Sequence, residues 1–158
     1  MVSNTRKRIR MSEAEVWEFL NECRNLQVAS LNRDGSPHLT TLWYAVDHNC
    51  IVFDTYAKSQ KAVNVQRDPR VGLLVEAGDS YETLRGVSVN GVAEFVTDAE
   101  LSCALKVKIG KRYFHEVPED TLREQAQASR GKRVVIRVKP GKIVSWDHRK
   151  LNPASPGN

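Results

Sequence analysis

The spacing of the hydrophobic residues changes along the chain, from helical near the N-terminus to alternating through most of the remainder. Behind a capping box that begins at Ser12, apolar residues recur three or four positions apart, which predicts a helix. From Leu26 onward, short apolar runs alternate with polar residues between turn-forming segments, which predicts strands. The predicted strands are Leu26–Leu31, Pro37–Asp47, Cys50–Tyr56, Val71–Glu76, Thr83–Val96, Arg133–Lys139 and Lys142–Trp146.

Three further helices are predicted between these strands. A short one opens at Lys58 and ends before Pro69, because a residue that precedes proline is pushed out of the helical region. Another begins at the capping box of Thr97 and runs through Ile109, and the last spans roughly residues 118–129. The strands follow one another as hairpins without βαβ alternation, which argues against Rossmann and TIM-barrel folds. The pattern predicts a mainly β protein with peripheral helices (α+β), in which six or seven antiparallel strands form a small closed or split β-barrel.

The length of 158 residues fits one domain with a core of its own. We expect a basic flexible tail over residues 1–11, a single domain over 12–151 and a loose tail over 152–158. No apolar run is long enough for a membrane span or a signal peptide, and the three widely spaced cysteines match neither a disulfide framework nor a metal motif. The four histidines also lack ligand spacing. These features predict a cytoplasmic protein without a metal site or a membrane partner.

The stretch from Asp54 to Glu76 carries the most chemical information, because it places a predicted helix N-terminus at Lys58. The unpaired N–H groups and the dipole of a helix N-terminus favour anions, and Ser59 and Lys61 add a hydroxyl and a cation. The net charge of +5 suits an anionic ligand as well. The alternative is that these basic residues form the solvated face of an ordinary amphipathic helix. The stretch lacks the glycine pattern of a P-loop or a Rossmann turn, and the chain has no nucleic-acid-binding signature, so no nucleic-acid partner is expected.

Several stretches occur in an order and spacing that is specific as a set. They are VASLNRDGSPHLTTLWYAV (28–46), Asp54-Thr55, the run from Lys58 to Ala62, Asn64 with Arg67–Arg70, LRGVSVNGVAEFV (84–96) and SWDHRKL (145–151). From about residue 12 to residue 151 the chain thereby resembles the flavin-binding split-barrel proteins related to pyridoxamine 5'-phosphate oxidase. Within that group, its compact length and its K-x-x-N-x-x-R-D-P-R run are most similar to the reductases that use the deazaflavin coenzyme F420.

The resemblance implies a fold of the FMN-binding split-barrel type and a homodimer whose cofactor lies at the subunit interface. It also implies an oxidoreductase that transfers a hydride from reduced coenzyme F420 to a small-molecule acceptor, namely an activated alkene, an enone or a quinone-like compound. Two alternatives stay open: an oxidoreductase that binds FMN on the same fold, and a non-catalytic carrier or sensor of flavin or haem. Residues 38–44 depart from the pattern of true pyridoxamine phosphate oxidases, which argues against that activity.

The resemblance also assigns residues to cofactor binding. Lys61 falls on the phosphate-binding lysine of the family, and Trp43 falls on a strand position that backs the ring. Trp146 and Arg149 fall on an aromatic and basic pair that closes over the flavin. On residue type alone, Trp43 is equally well explained as a core residue of a barrel strand. No residue stands out as the proton donor. The full predicted set is Thr41, Trp43, Asp54, Thr55, Lys58, Ser59, Lys61, Asn64, Trp146 and Arg149.

Overall fold

The computed structural model describes residues 4–151, which fold around one curled antiparallel sheet. The strands are β1 (Leu26–Leu31), β2 (Pro37–Leu42), β3 (Ala45–Asp47), β4 (Cys50–Tyr56), β5 (Arg70–Ala77), β6 (Arg85–Phe95) and β7 (Arg133–Asp147). The α-helices are α1 (Thr5–Arg8), α2 (Glu13–Glu22), α3 (Gln60–Arg67), α4 (Ala99–Tyr113) and α5 (Glu119–Ala128). Short 3-10 helices cover Tyr81–Thr83 and His148–Leu151.

The seven strands are hydrogen-bonded in the order β2-β1-β5-β6-β7-β4-β3, and every pairing is antiparallel. β2 and β3 follow each other in the chain but lie at opposite edges of the sheet. The predicted single strand Pro37–Asp47 was therefore wrong, because the chain leaves one edge at Trp43 and Tyr44 and joins the other at Ala45. The architecture otherwise confirms the prediction of a mainly β split barrel with seven antiparallel strands and peripheral helices.

The predicted division of the last two strands at Pro140 was also wrong. β7 is continuous over 15 residues and passes this point as a β-bulge, opposite Asn90 and Gly91 of β6. A bulge already interrupts the ladder of hydrogen bonds, so it accommodates a residue without an N–H group. A β-carbon on Gly91 would lie 2.7 Å from the carbonyl oxygen of Lys139, and the close approach of the two strands at the bend therefore requires glycine.

The main core lies between the inner face of the sheet and α2. This helix begins with the predicted capping box, in which Ser12 Oγ accepts from the Glu15 N–H at 3.2 Å and the Glu15 carboxylate accepts from the Ser12 N–H at 2.6 Å. A smaller cluster lies under α4, which packs on β3, β4 and β7. Among residues 4–151, none of the helices is long and apolar enough to cross a membrane. Prominent members of the main core are Phe19, Leu20, Leu26, Tyr44, Ile51, Phe53, Val75, Val89 and Ile136.

The predicted basic tail has contacts with the barrel over its last residues. The Asp147 N–H donates to the Ile9 carbonyl at 2.7 Å, and the Met11 N–H donates to Ser145 Oγ at 3.1 Å. Met11 is itself buried in the main core, so packing begins one residue before the predicted domain boundary. These contacts hold the segment against the end of β7. The predicted C-terminal tail, residues 152–158, lies outside the described residues.

Arg112, at the end of α4, ties α2 to the segment that crosses between the sheet edges. Its guanidinium donates to the carbonyl oxygens of Tyr44 at 3.0 Å and Asn21 at 2.9 Å, and also to those of Leu20 and Cys23. The buried Tyr44 hydroxyl donates to the same Leu20 carbonyl at 2.5 Å. One cation therefore satisfies several carbonyl groups at a helix C-terminus, where no intrahelical partner exists.

Replacing Arg112 with alanine should lower the free energy of unfolding by about 2–4 kcal/mol, because several half-buried carbonyl groups lose their donor together. Urea denaturation followed by circular dichroism measures the change. The matched control is Lys111→Ala, whose ammonium pairs with Glu119 on an exposed surface and should contribute less than about 1 kcal/mol. Equal losses in the two variants would show that Arg112 has no special structural role.

Candidate functional site

A small polar cluster lies where β4 ends and α3 begins. Ser59 is the N-cap of α3, and its Oγ accepts from the Ala62 N–H at 3.3 Å. Thr55, the last buried residue of β4, places its Oγ1 at 3.2 Å from Ser59 Oγ and at 3.2 Å from Lys61 Nζ. We call Thr55, Ser59 and Lys61 the anion cradle, because they present two hydroxyls and an ammonium at a helix N-terminus.

The first turn of α3 adds backbone donors to the anion cradle. The Ser59 N–H donates to the Tyr56 carbonyl, and the Ala62 N–H is used by the cap. Between them, the N–H groups of Gln60 and Lys61 have no acceptor within the part of the chain that the structure describes. Unpaired donors at a helix N-terminus bind phosphate or carboxylate oxygens. The anion cradle therefore offers two N–H groups, two hydroxyls and one ammonium.

The surroundings of Lys61 disfavour the protonated, charged form of its side chain. Partial burial of the side chain lowers the pKa of Lys61, and the nearby Arg133 guanidinium lowers it further. A lowered lysine pKa means that the protonated form is less stable in the folded chain than in the unfolded chain. Keeping Lys61 charged at neutral pH thus costs stability, and that cost is relieved when pH rises or when an anion binds. This is typical of a ligand-binding cation rather than of a solvated surface lysine.

Asp54 holds Arg133 beside the anion cradle. The guanidinium and carboxylate form a bidentate pair, with Nε–Oδ2 at 2.6 Å and Nη2–Oδ1 at 2.9 Å, and both side chains are partly buried. Arg133 also lies over the Tyr56 ring at 4.6 Å. This hydrogen bond to Asp54 raises the pKa of Arg133, so the guanidinium stays charged. Arg133 is absent from the predicted set because only the register that pairs β4 with β7 brings it next to Asp54.

Asn64 has a different place from the one its prediction as a cofactor contact requires. Its side chain is fully buried, and its amide donates to Ser30 Oγ at 3.1 Å and to Asn32 Oδ1 at 3.0 Å. Its carbonyl oxygen accepts from Gln60 Nε2 at 2.9 Å. With no exposed surface, Asn64 anchors α3 to β1 and thereby positions the anion cradle. A polar residue on the apolar face of a short helix was the signal for this structural role.

The other basic residues in and next to α3 differ in whether they have a partner. Lys58 is exposed beside the anion cradle and has no partner among the described residues. Arg67 donates to the Leu31 carbonyl, and Arg70 pairs with Asp68 at 2.6 Å. The Arg70 guanidinium lowers the pKa of Asp68 to about 2. The alternative of a uniformly solvated basic face therefore does not describe Lys61.

Trp43 lies at the surface and not in the core. The indole is 47% exposed and stacks on Tyr113 with ring centroids 4.4 Å apart, while Phe114 meets its edge. The alternative interpretation of Trp43 as a buried core residue was wrong, because the chain is crossing between sheet edges there and Tyr44 takes the inward position.

Trp146 and Arg149 lie at the opposite end of β7 from the anion cradle. Thr55 pairs with Val134, whereas Trp146 pairs with Gly86, twelve positions further along β7. That separation is about 40 Å along the path of the strand. A β-carbon on Gly86 would lie 2.1 Å from the Trp146 ring, so this glycine lets the indole lie against β6. Arg149 forms a bidentate pair with Asp147. One protomer does not bring these two residues to the anion cradle.

Thr41 belongs to a third location, the outward face of the sheet. Its row crosses five strands through Gln27, Leu74, Ser88 and Val144, each directly opposite the next. This face is poorly covered, since Val144 is 48% exposed and Leu39, on the neighbouring row, is 67% exposed. Gln27 Oε1 is buried there without a donor from any described residue. Within residues 4–151, no group of three His, Cys, Asp or Glu side chains is placed to hold a metal ion.

The chain is similar to known proteins, among them one curated enzyme and two solved structures. A curated pyridoxine/pyridoxamine 5'-phosphate oxidase of Kineococcus radiotolerans is 41% identical over 75 residues, which are 48% of this chain and 32% of the relative. The chain thus matches about a third of that relative's length. The crystal structure of a conserved hypothetical protein from Mycobacterium tuberculosis is 44% identical, with a TM-score of 0.88, and the match covers 99% of this chain and 97% of the other. The structure of an F420 reductase is 27% identical, with a TM-score of 0.63 and coverage of 80% and 93%.

The family assignment rests on a longer match. The sequence profile for pyridoxamine 5'-phosphate oxidase matches residues 12–147, which include all seven strands and the anion cradle. The resemblance drawn from the sequence is confirmed by this match and by the similar fold of the two solved structures. The chain belongs to the pyridoxamine 5'-phosphate oxidase family of split-barrel proteins.

Proposed function

We propose that this protein is a homodimeric oxidoreductase that binds coenzyme F420 and transfers a hydride from its reduced form to an activated alkene, an enone or a quinone-like acceptor. The observation that carries the proposal is the anion cradle, where a partly buried Lys61 with a lowered pKa stands beside two unpaired N–H groups. A phosphate group satisfies all of these donors at once. Similarity to an F420 reductase over 80% of the chain supports the choice of coenzyme.

The charges around the anion cradle favour a ligand with several anionic groups. Coenzyme F420 carries a phosphate and an oligoglutamate tail, whereas FMN carries a phosphate alone. The Ala57 N–H donates to the Lys132 carbonyl at 2.9 Å, which places Lys132 next to the loop that enters α3. Lys58, Arg130 and Lys132 have no carboxylate partner among the residues that the structure describes. A polyanion therefore meets more unpaired cations here than a single phosphate requires.

A second copy of the chain would complete the site. In one protomer, Trp146 and Arg149 are far along β7 from the anion cradle, although the family pattern assigns both to the cofactor. The outward face that carries Thr41 and Leu39 mixes polar residues with the exposed Leu39 and Val144, and Gln27 Oε1 lacks a donor there from any described residue. Association of two such faces would bury the apolar residues and supply partners for the polar ones. We propose that this face is the dimer interface and that the partner supplies Trp146 and Arg149.

The protein's own part in the reaction is to bind and to orient. The bound coenzyme supplies the hydride, and the acceptor gains this hydride and one proton across its double bond. The anion cradle fixes the phosphate, and the aromatic pair of Trp43 and Tyr113 offers a flat apolar surface near the edge of the sheet. Holding both reactants in a fixed orientation, away from water, accounts for rate enhancement without an acid–base triad.

Turnover distinguishes the proposal from the alternative of a carrier or sensor. Reduced coenzyme F420 is mixed with the protein and a panel of enones, quinones and conjugated acids, and re-oxidation of the coenzyme is followed by its visible absorbance. The proposal predicts re-oxidation that requires both protein and acceptor. A protein that binds the coenzyme but re-oxidises it with none of the acceptors would be a carrier.

The affinity for the coenzyme should depend on pH through Lys61. Since burial and Arg133 lower the pKa of Lys61, the ammonium loses its proton at a lower pH than an ordinary lysine, and binding should weaken as pH rises through that range. Titrations between about pH 7 and pH 10 measure the effect. Lys61→Arg is the matched control, because arginine stays protonated and should hold the affinity nearly constant. An identical decline in both proteins would assign the titration to another group.

A further inference from the structure

A second basic concavity lies away from the anion cradle, between the N-terminal segment and the last strand. We call it the amino-terminal groove. Its volume is about 810 Å³, which lies within the usual range of small-molecule sites. It is lined by Arg6, Lys7, Ile9, Arg10, Lys142, Ile143, Val144, Ser145, Trp146 and His148.

The backbone of the N-terminal segment is fastened to the barrel beside this groove. The Asp147 N–H donates to the Ile9 carbonyl at 2.7 Å, and Lys150 Nζ donates to the Arg10 carbonyl at 2.9 Å. Lys150 is itself held by the Glu15 carboxylate at 2.7 Å. Arg10 therefore starts from a backbone that is fixed against β7, and the Ile9 N–H joins α1 to this fixed point through the Thr5 carbonyl.

The cations of the amino-terminal groove have no counter-charge among the described residues. Of the residues that the structure describes, four basic side chains line it and no acidic side chain does. Within the described part of the chain, none of these four forms an ion pair, although Arg85 on β6, Arg137 on β7 and Arg149 just after β7 are all paired. Like charges around one concavity repel one another, and an anion in the groove removes that repulsion. The four cations are Arg6, Lys7, Arg10 and Lys142.

The floor of the groove is apolar and partly aromatic. Ile9, Ile143 and Val144 line it together with the indole of Trp146, and Val144 also belongs to the edge of the proposed dimer face. Gly86 allows the Trp146 ring to lie against β6. An apolar floor under a cationic rim fits a ligand with a flat apolar body and at least one anionic group. The four cations line one concavity of small-molecule size, which favours a small molecule over nucleic acid.

We infer that the amino-terminal groove binds the hydride acceptor, and that the acceptor is a planar, largely apolar molecule that carries one or more carboxylate groups. This inference rests on the proposed function, because Trp146 is the residue that the proposed dimer brings to the cofactor of the partner protomer. An acceptor on this floor would then lie next to the cofactor ring. Arg6, Lys7, Arg10 and Lys142 select for its carboxylate groups.

Binding of 1-pyrenebutyrate to the full chain tests the inference without any coenzyme. Tryptophan emission excites pyrene, so energy transfer reports binding near Trp146, and 1-pyrenebutanol is the neutral counterpart. The butyrate should bind at least about tenfold more tightly than the alcohol, because one charge-assisted hydrogen bond raises the affinity by about that factor. The double change Arg6→Ala and Arg10→Ala should abolish this preference and leave binding of the alcohol unchanged. Trp146→Phe should reduce the energy transfer.

Arg8→Ala is the matched control, because Arg8 lies on the same helix and is exposed but does not line the groove. It should keep the preference for the butyrate. Equal affinity for the two probes, or an equal loss in the Arg8 variant, would overturn the inference. Displacement of the probe by oxidised coenzyme F420 would assign the groove to the coenzyme's own carboxylates and overturn the acceptor assignment. Failure of the probe to bind leaves coenzyme binding at the anion cradle unaffected, so the two proposals fail separately.

Discussion

Replacing Lys61 with alanine should weaken binding of coenzyme F420 by about 1.5–3 kcal/mol, a factor of roughly ten to 150 in the dissociation constant. The ammonium lies at 3.2 Å from Thr55 Oγ1, next to the two unpaired N–H groups of α3. Its charge is unfavourable in the free protein and becomes favourable when a phosphate binds. Removing the Lys61 side chain should therefore lower the affinity for the coenzyme rather than the stability of the fold. Isothermal titration calorimetry measures the change.

Two controls accompany the Lys61 variant. Lys108→Ala removes a surface lysine that pairs with Asp47, which lies beside the opposite end of β4 from the anion cradle, and it should leave affinity within about twofold of the parent. The thermal unfolding midpoint of Lys61→Ala should equal or slightly exceed that of the parent, since a partly buried charge has been removed. If the affinity is unchanged, Lys61 is a surface lysine and the anion cradle does not hold the cofactor.

Replacing Leu39 with glutamate should raise the dissociation constant of the proposed dimer by at least about a hundredfold, near 3 kcal/mol. Leu39 is 67% exposed in the protomer and sits on the outward face of β2, next to the row that contains Thr41. In a twofold interface both protomers contribute the substituted residue, so two glutamate carboxylates would be buried without partners. Sedimentation equilibrium over a range of protein concentrations measures the dissociation.

The same Leu39 variant should lose most of its affinity for the coenzyme, because dissociation of the dimer removes the partner's Trp146 and the partner's Arg149 from the proposed cofactor site. Leu101→Glu, on the exposed side of α4, is the matched control and should change neither association nor coenzyme binding. A Leu39 variant that remains dimeric would place the interface elsewhere. A monomeric variant with full affinity would show that one protomer binds the coenzyme alone.

The sequence predicted the fold well because the signals for its elements are local. The capping box at Ser12, the alternation along β7 and the proline after Asp68 each act within a few residues. The errors came where two distant strands decide the outcome. β2 and β3 separate because they belong to opposite sheet edges, and β7 continues through Pro140 because β6 provides a matching bulge. Both outcomes depend on strands that are distant in the sequence, so the residues around Trp43 and Pro140 do not reveal them.

For the candidate site as well, local features could be predicted from the sequence, whereas contacts between distant segments could not. The places of Ser59 and Lys61 at the start of α3 were predictable because a cap and a first-turn cation are local features of a helix, whereas cofactor binding by these residues stays a prediction. Arg133 was missed because only strand register places it beside Asp54. Asn64 was taken for a contact because its polarity is visible in the sequence while its complete burial is not. The roles of Trp146 and Arg149 depend on a second protomer, and they stay predictions for the same reason.

Titration of the protein with coenzyme F420 and, separately, with FMN decides which cofactor the anion cradle selects, since both carry a phosphate and only coenzyme F420 carries further anionic groups. We expect coenzyme F420 to bind with a dissociation constant on the order of micromolar, FMN to bind far more weakly, and Lys61→Ala to weaken the stronger binding. Tight binding of FMN that persists through gel filtration, with no binding of coenzyme F420, would contradict this expectation.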